Sequence, residues 1–471
     1  MLEERFINQI RREIIGVGTK VPVRNGRHFK YINFDNAAST PIFRKVYYKV
    51  KEFLNWYSNV HRGSGFKSQL ATEVYDKIRK LVANFVGANF EDNRIIFLKN
   101  TTEAINKLAT TLNLTKDDVV ITTPMEHHSN LLPWRDKAEV VYTKLDEDGK
   151  LDINDLEKKL VTYESRVELV AVTGASNVTG YLNPIHKIAR LAHKYNSQIL
   201  VDGAQLIPHR PVDMKDNSKA EHIDYLAFSA HKMYAPLGCG VLIGPKSSFA
   251  GQKPDYSGGG TIKAVTLDDV IWAESPDKEE AGTPNIIGAV ALGASIKMIK
   301  KIGWKSLIEQ EERLRKYLLK QLQQLEGVKL YGAMIKEIPK KQVGVISFNL
   351  ESLHHSLVAA ILSKEWGIGV RSGCFCAQPY LHRLLDLSKN KVEEYKEKLV
   401  RNENIKRPGL VRVSFGCYNT SKEVKRLIKG VQSIIERQEN GFDFTTEYEF
   451  DSESGEYRPK EEVNLRKYFK L

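Results

Sequence analysis

Two of the chain's four cysteines flank a single phenylalanine in RSGCFCAQP, residues 371–379. Cys374 and Cys376 could be half a metal site, a disulfide, buried packing, or a nucleophile with a neighbour. Structural zinc takes four ligands, and a lone C-x-C with no second pair nearby falls short of that, so no metal is expected. Lys232 follows an apolar stretch in SAHKMYAPLGCG, just before a Pro/Gly turn. Asp202 closes the apolar run ILVD, where an ionised carboxylate is costly unless a cation pairs with it. A protonated pyridine nitrogen is one such cation. Asn177 and Gln205 can donate hydrogen bonds to a phenolate oxygen, and the imidazole of His127 can stack on a flat ring. Thr101 and Thr102 open TTEAINKL; hydroxyls and N–H groups at a helix start hold phosphate well, although the same threonines serve equally as caps. A lysine, an aspartate, a planar partner and a phosphate cradle together fit pyridoxal 5′-phosphate, with Lys232 forming its Schiff base.

Such residues must be held by one frame. RIIFL (94–98), DDVVITT (117–123), VELVAVTGAS (167–176), SQILVDGA (197–204) and DYLAFSA (224–230) are short apolar runs separated by amphipathic helical stretches. That alternation predicts an α/β fold with a mostly parallel central sheet covered on both faces. Each run ends in a polar residue of interest, and in such sheets chemistry gathers at the carboxyl ends of the strands. A large domain is expected over 30–290 and a smaller α/β C-terminal domain over 291–437. Within the latter, 388–408 reads as a charged insertion carrying a surface helix, with Val392, Tyr395 and Leu399 on one side and Glu394 four residues before Lys398. Residues 1–29 read as a helical segment packing with the small domain, with Leu2, Phe6, Ile10 and Ile14 recurring every four positions on its docked side. Residues 438–471, polar and aromatic without clear periodicity, read as a mobile tail or an arm packed on a neighbour.

The 471 residues carry 71 Lys and Arg against 58 Asp and Glu, a net charge of +13. An excess of that size can attract nucleic acid or an acidic partner, but no long basic block or aromatic–basic interleaving accompanies it, which favours a mixed solvated surface. Four cysteines do not make a secreted disulfide scaffold, and a reducing, cytoplasmic setting is expected. No run of about 18 apolar residues is present, so no membrane span is expected. GGG at 258–260 is not a P-loop, because no Gly-Lys-Ser/Thr follows.

NFDNAAST, NVHRGSGFKSQLATEVYDKIR, TTEAIN, MEHHSNLLPW, SNVTG, VDGAQ, SAHKMYAPLGCGVL, AGTPN, RSGCFCAQP and VRVSFGCYNT occur in an order and spacing that resembles class V, fold-type I pyridoxal-phosphate enzymes. The likeness is greatest to group II cysteine desulfurases and selenocysteine lyases and covers roughly residues 30 to 437. It implies a homodimer in which Lys232 bonds the cofactor, His127 stacks on it, Asp202 pairs with its ring nitrogen, and Gln205 and Asn177 serve the ring. Thr102, Ser229 and His231 would hold phosphate, with Thr101 beside them. Thr283, His61 and Arg62 would reach the partner's site, and Arg412 would bind the substrate carboxylate. Arg371 matches the arginine before the nucleophile loop, and the invariant cysteine of that loop falls on Cys376. The implied activity turns L-cysteine into L-alanine, with a persulfide on Cys376 for transfer to an acceptor protein in iron–sulfur or other thio-cofactor assembly. Selenocysteine lyase, molybdenum-cofactor sulfurase, aminotransferase and epimerase remain alternatives within the superfamily, and an inactive basic scaffold is an alternative outside it. GCFC is closer to the molybdenum-cofactor sulfurases, and Cys374 then reads as packing, a relay or a resolving thiol. Ser257 stands where the family usually has an acid, and Gly174 and Ala175 stand where it carries a histidine.

Overall fold

The computed structural model describes residues 2–61, 63–332, 342–401, 403, 405–461 and 463–469. Strand side chains alternate between two faces, and the alternation sorts the central sheet into two buried layers. In β1 (Asn93–Leu98), Ile95 and Phe97 face one core while Ile96 faces the other. The same split runs through β2 (Val119–Thr122), β3 (Glu139–Tyr142), β4 (Val167–Thr173), β5 (Gln198–Asp202), β6 (Tyr225–Ser229) and β7 (Gly240–Pro245). The order across the sheet is β1-β7-β6-β5-β4-β2-β3. β3, β2, β4, β5 and β6 are parallel neighbours, and β7 runs antiparallel to both β1 and β6. Gly240 pairs with both Leu98 and Ser229, so β7 begins at the edge where the other strands end.

A second sheet, order β8-β9-β11-β10, is antiparallel and built from β8 (Val328–Leu330), β9 (Val345–Leu350), β10 (Arg371–Gly373) and β11 (Leu410–Ser414). Its apolar residues form a core of their own with Phe34, Leu318, Val358 and Leu427.

Helices cover both sheets. The N-terminal helix α1 (Leu2–Arg12) and the residues after it bury Ile10 and Ile14 against the large core, while Arg11 reaches the Tyr418 carbonyl at 2.8 Å. Asn100 caps α2 (Thr101–Thr111), its side chain accepting from the Glu103 amide, which fixes where that helix starts. α3 (Ile286–Ile302) is buried nearly all round, as its IIGAVALGAS start requires, and leads into α4 (Trp304–Leu322). α5 (His355–Trp366) ends on Gly367 in the left-handed conformation. α6 (Lys389–Val400) is the expected surface helix: it buries no residue fully, keeps Val392, Tyr395 and Leu399 half-covered, and pairs Glu394 with Lys398 at 2.6 Å. α7 (Ser421–Glu439) begins in a capping box made by Thr420 and Glu423.

The reading of 438–471 as a mobile tail, or as an arm on a neighbour, is corrected. β12 (Tyr448–Asp451) and β13 (Glu456–Pro459) form a hairpin packed on the chain's own α5. Tyr448 is 1 % exposed, and its hydroxyl donates to Glu365 Oε1 at 2.9 Å. The strands are four residues long, too short for their alternation to stand out by eye. Among the described residues, no helix is long and apolar enough to cross a membrane.

Candidate active site

The carboxyl ends of β1, β2, β4, β5 and β6 converge on one cavity of about 270 Å³. Asp202 is the last residue of β5 and is buried; one carboxylate oxygen accepts from the Ala204 amide at 2.9 Å. Burial raises its pKa, while Ala204 and the charge of Lys232 pull it back. Lys232 lies just past β6, in the turn that Ser229 opens. Burial lowers its amine to about 8, against an opposing pull from Asp202. A lysine so placed holds a populated lone pair near neutral pH, unlike a surface lysine. Gln205 donates to the Ala37 carbonyl at 2.6 Å, and its Oε1 is buried with no protein partner.

His127 follows β2 on a loop that the sequence builds from polar residues at short spacing. Its Nδ1 accepts from the Ser129 amide at 3.1 Å, so the neutral ring carries its proton on Nε2. Burial first, then Lys232, lowers its pKa to about 3, so the ring stays uncharged. Beneath the loop lies Glu126, fully buried, accepting from Thr123 Oγ1 and Asn130 Nδ2, each at 2.7 Å. On the neighbouring strand ends, Thr101 and Ser229 share a hydroxyl pair at 2.6 Å, and Thr102 pairs with Ser129 at 2.7 Å. Gly240 lets the chain close here: a Cβ at that position would lie 2.5 Å from the Asn100 backbone.

The second sheet contributes the cationic wall. Arg412, 3 % exposed, sits on β11; Nη2 donates to Asp35 Oδ1 at 2.9 Å and Nη1 to the Asn177 carbonyl at 3.1 Å. Its Nε is buried with no protein partner. Asp35 also faces the half-exposed Arg371, 3.6 Å away. Cys376 is exposed to the cavity on a turn. Phe375 and Cys376 both have φ of 54°, and Gly373 has 110°. The turn is held at both carbonyls: Asn177 Nδ2 donates to Phe375 O, and the His128 amide to Cys376 O, each at 2.7 Å. The Phe375 ring lies 4.7 Å under the Arg412 guanidinium. Cys374 is half-buried against the large core, with Tyr395 of α6 in electrostatic range.

Twelve residues singled out from the sequence line this cavity: Thr101, Thr102, His127, Asn177, Asp202, Gln205, Ser229, His231, Lys232, Arg371, Cys376 and Arg412. His61 and Thr283 do not; both lie on the exterior, and Arg62 is outside the described residues. Sequence reasoning passed over Asp35, Glu126 and Phe375, although each stands inside a quoted motif. A Cβ at Gly174 would lie 2.6 Å from a Leu206 methyl, so a side chain there requires Leu206 to move. Cys239 and Cys417 are core thiols as read, with burial pushing both upward, Cys417 to about 12. Away from the cavity, His193, His222 and Asp224 form a metal-capable group that the sequence did not reveal. Their nitrogens already face the carboxylate, at 2.8 and 3.1 Å.

A family model for aminotransferase class-V matches residues 32–427. The chain belongs to that family. Among class-V relatives, a probable cysteine desulfurase of Halalkalibacterium halodurans is 36% identical over 421 residues, 88% of this chain and 94% of the relative. A probable cysteine desulfurase of Pyrococcus abyssi is 38% identical over 86% of this chain and 94% of its own length. The apo cysteine desulfurase of Thermococcus onnurineus NA1 superposes with a TM-score of 0.78 at 35% identity, covering 91% of this chain and 98% of that one. An Escherichia coli cysteine desulfurase in its S-sulfonic acid form gives 0.73 at 26% identity, over 91% of this chain and 98% of that one. The class-V chain thus shares their α/β architecture with a mostly parallel central sheet.

Proposed function

We propose that this chain is a pyridoxal 5′-phosphate-dependent cysteine desulfurase that converts L-cysteine to L-alanine and keeps the sulfur as a persulfide on Cys376. One observation carries the reading: a single cavity gathers a half-buried lysine, a buried aspartate, a neutral histidine, a buried arginine and an exposed cysteine. The residues fit the cofactor. Asp202 offers a buried carboxylate to a ring cation, Gln205 Oε1 lacks a protein partner, and Thr101, Thr102, Ser229 and His231 offer donors to a phosphate. When bound, the cofactor supplies an electron sink that acidifies the Cα–H of an attached amino acid and weakens its Cβ–S bond.

The chain's own groups account for the rest. Arg412 binds the substrate carboxylate through its planar fork, with the buried Nε as a donor left over for it. Lys232, its amine lowered to about 8, would hold the cofactor and carry the Cα proton. Neutral His127 holds a proton on Nε2 inside a cavity that burial keeps short of water. The Cys376 thiolate forms an Sγ–S bond as the substrate Cβ–S bond breaks. The electron pair of the broken bond stays on Cβ, and the proton given up by the Cys376 thiol balances the one gained there. Arg412 and Arg371 line the same cavity as Cys376.

A second copy of the chain brings His61 and Thr283 to this site, and an acceptor protein of iron–sulfur or other thio-cofactor assembly takes the sulfur. The four free cysteines support a reducing cytoplasmic setting. The test is incubation with L-cysteine and a reductant, measuring alanine and sulfide. Cys376→Ala is expected to lose sulfide release and Cys374→Ala to keep it. Wild-type release from Cys376→Ala would remove the nucleophile assignment.

A further inference from the structure

Two imidazoles and a carboxylate meet at the amino end of β6, the end remote from the catalytic cavity. His193 is the penultimate residue of the helix Ile185–Lys194, and Asp224 immediately precedes β6, two residues after His222. The ring of His193 lies flat against that of His222, with centroids 4.1 Å apart and planes 17° from parallel. Both turn Nε2 to Asp224, His193 towards Oδ2 at 2.8 Å and His222 towards Oδ1 at 3.1 Å. Asp224 is buried, and its Oδ2 also accepts from the Ile199 amide at 2.9 Å.

The other nitrogen of each ring also faces an oxygen. His193 Nδ1 lies 2.8 Å from the Ala220 carbonyl, and His222 Nδ1 lies 2.6 Å from the Lys219 carbonyl. A carbonyl only accepts, so each Nδ1 carries the proton, which leaves Nε2 as the lone pair of a neutral ring. Two lone pairs then point at a carboxylate that is itself an acceptor. Protons fill that gap only by making both rings cationic, stacked face to face against one negative charge. One divalent cation between the two Nε2 atoms and the carboxylate satisfies all three groups at once. A backbone carbonyl behind the imidazole is the arrangement that orients a metal-ligating histidine. The three donor atoms lie within 4.8 Å of one another. Ligands at the zinc distance stand about 3.4 Å apart in a tetrahedral site, so small side-chain rotations seat the ion.

From this geometry we infer that His193, His222 and Asp224 bind a zinc-class divalent cation, with water completing its coordination on the solvent side. Two imidazoles and one carboxylate suit zinc, cobalt(II) or nickel(II) better than magnesium or calcium, which prefer oxygen ligands throughout. Binding displaces any ring proton from Nε2 to solvent and clamps the 219–224 loop to the helix Ile185–Lys194. Both rings keep a partly exposed edge, 18 % for the His193 side chain and 15 % for that of His222, which gives the ion a way in. The inference stands apart from the desulfurase reading and does not depend on it, since none of the three residues lines the catalytic cavity.

The test is titration of the full chain, loaded with pyridoxal phosphate and carrying no histidine tag, with cobalt(II), followed by the ion's visible d–d absorption and then by displacement with zinc. One equivalent is expected to bind, with affinity falling about tenfold or more in His222→Gln and in Asp224→Asn. Cys374→Ala and Cys376→Ala leave that equivalent in place, and excess magnesium does not displace it. Should Asp224→Asn fail to fold, His222→Gln at its partly exposed ring carries the comparison. Without added metal, His222→Gln releases sulfide from L-cysteine at the wild-type rate, so metal binding and desulfurase activity are read separately. Absence of binding, affinity unchanged in His222→Gln, or an equivalent lost in the cysteine variants instead, overturns the inference.

Discussion

Replacing Glu126 with glutamine makes a buried proton visible. The carboxyl is wholly enclosed and faces donors on all sides: Thr123 Oγ1, Asn130 Nδ2 and the Thr173 amide. Burial outweighs those hydrogen bonds and raises its pKa from 4.5 to about 8. An unfolded chain releases this proton near 4.5, whereas the folded one keeps it until about 8. The stability it contributes is therefore full below 4.5 and is lost as pH rises through about 8. At about 1.4 kcal/mol per unit, that span is worth about 5 kcal/mol. For a chain of this length, about 1 kcal/mol moves the melting temperature by roughly one degree, so the effect is about 5 °C. Glutamine cannot ionise, and its amide faces a second donor, which costs about 1–3 kcal/mol at every pH. Glu126→Gln should thus melt below wild type at pH 5, with the gap closing and reversing by about pH 9. Thermal unfolding followed by circular dichroism at several pH values measures it. A gap that stays constant across that range would show that Glu126 is not a protonated acid in the fold.

Arg412→Lys keeps the charge but loses the planar fork, so KM for L-cysteine should rise about tenfold or more with a smaller change in kcat. Steady-state alanine formation reads this out. Burial pushes the Asp224 carboxyl up, but hydrogen bonds from His193 and His222 overcome it and hold it at about 2. Asp224→Asn should cost about 2 kcal/mol at neutral pH, a penalty that shrinks as pH falls from 3.8 towards about 2; urea midpoints at pH 7 and pH 2 check it. Tyr448→Ala empties a buried ring site and should cost about 3–5 kcal/mol, with new trypsin cleavage in the terminal hairpin as the sign.

The frame and most of the cavity were legible because they obey local rules. Strands alternate, and Asp202, His127 and Lys232 each stand just past an apolar run. Asn100 and Thr420 sit where caps belong. What escaped depends on distant packing. Asp35 reads as an ordinary loop acid until β11 brings Arg412 to it from 377 residues away. Glu126 looks like one more polar loop residue, because its enclosure comes from Thr123, Asn130 and the end of β4. The CFC stretch looks extended, but Asn177 and His128 reach across from other elements and bend it into the left-handed region. The closing hairpin has two strands of four residues, giving two cycles of alternation each, and Tyr448 is buried by α5 rather than by anything nearby in sequence.

Left-handed backbone at two successive L-residues costs about 1–2 kcal/mol each, and Phe375 and Cys376 are kept there by a tether on either carbonyl and a cation above the ring. So mounted, the sulfur-bearing side chain turns about one bond, with the carbonyls on either side tied to Asn177 and His128. A load fixed to such a pivot is not ferried outward by the loop. On the proposed function, an acceptor would have to bring its own receiving atom down to the mouth of the cavity, which Arg371 also lines.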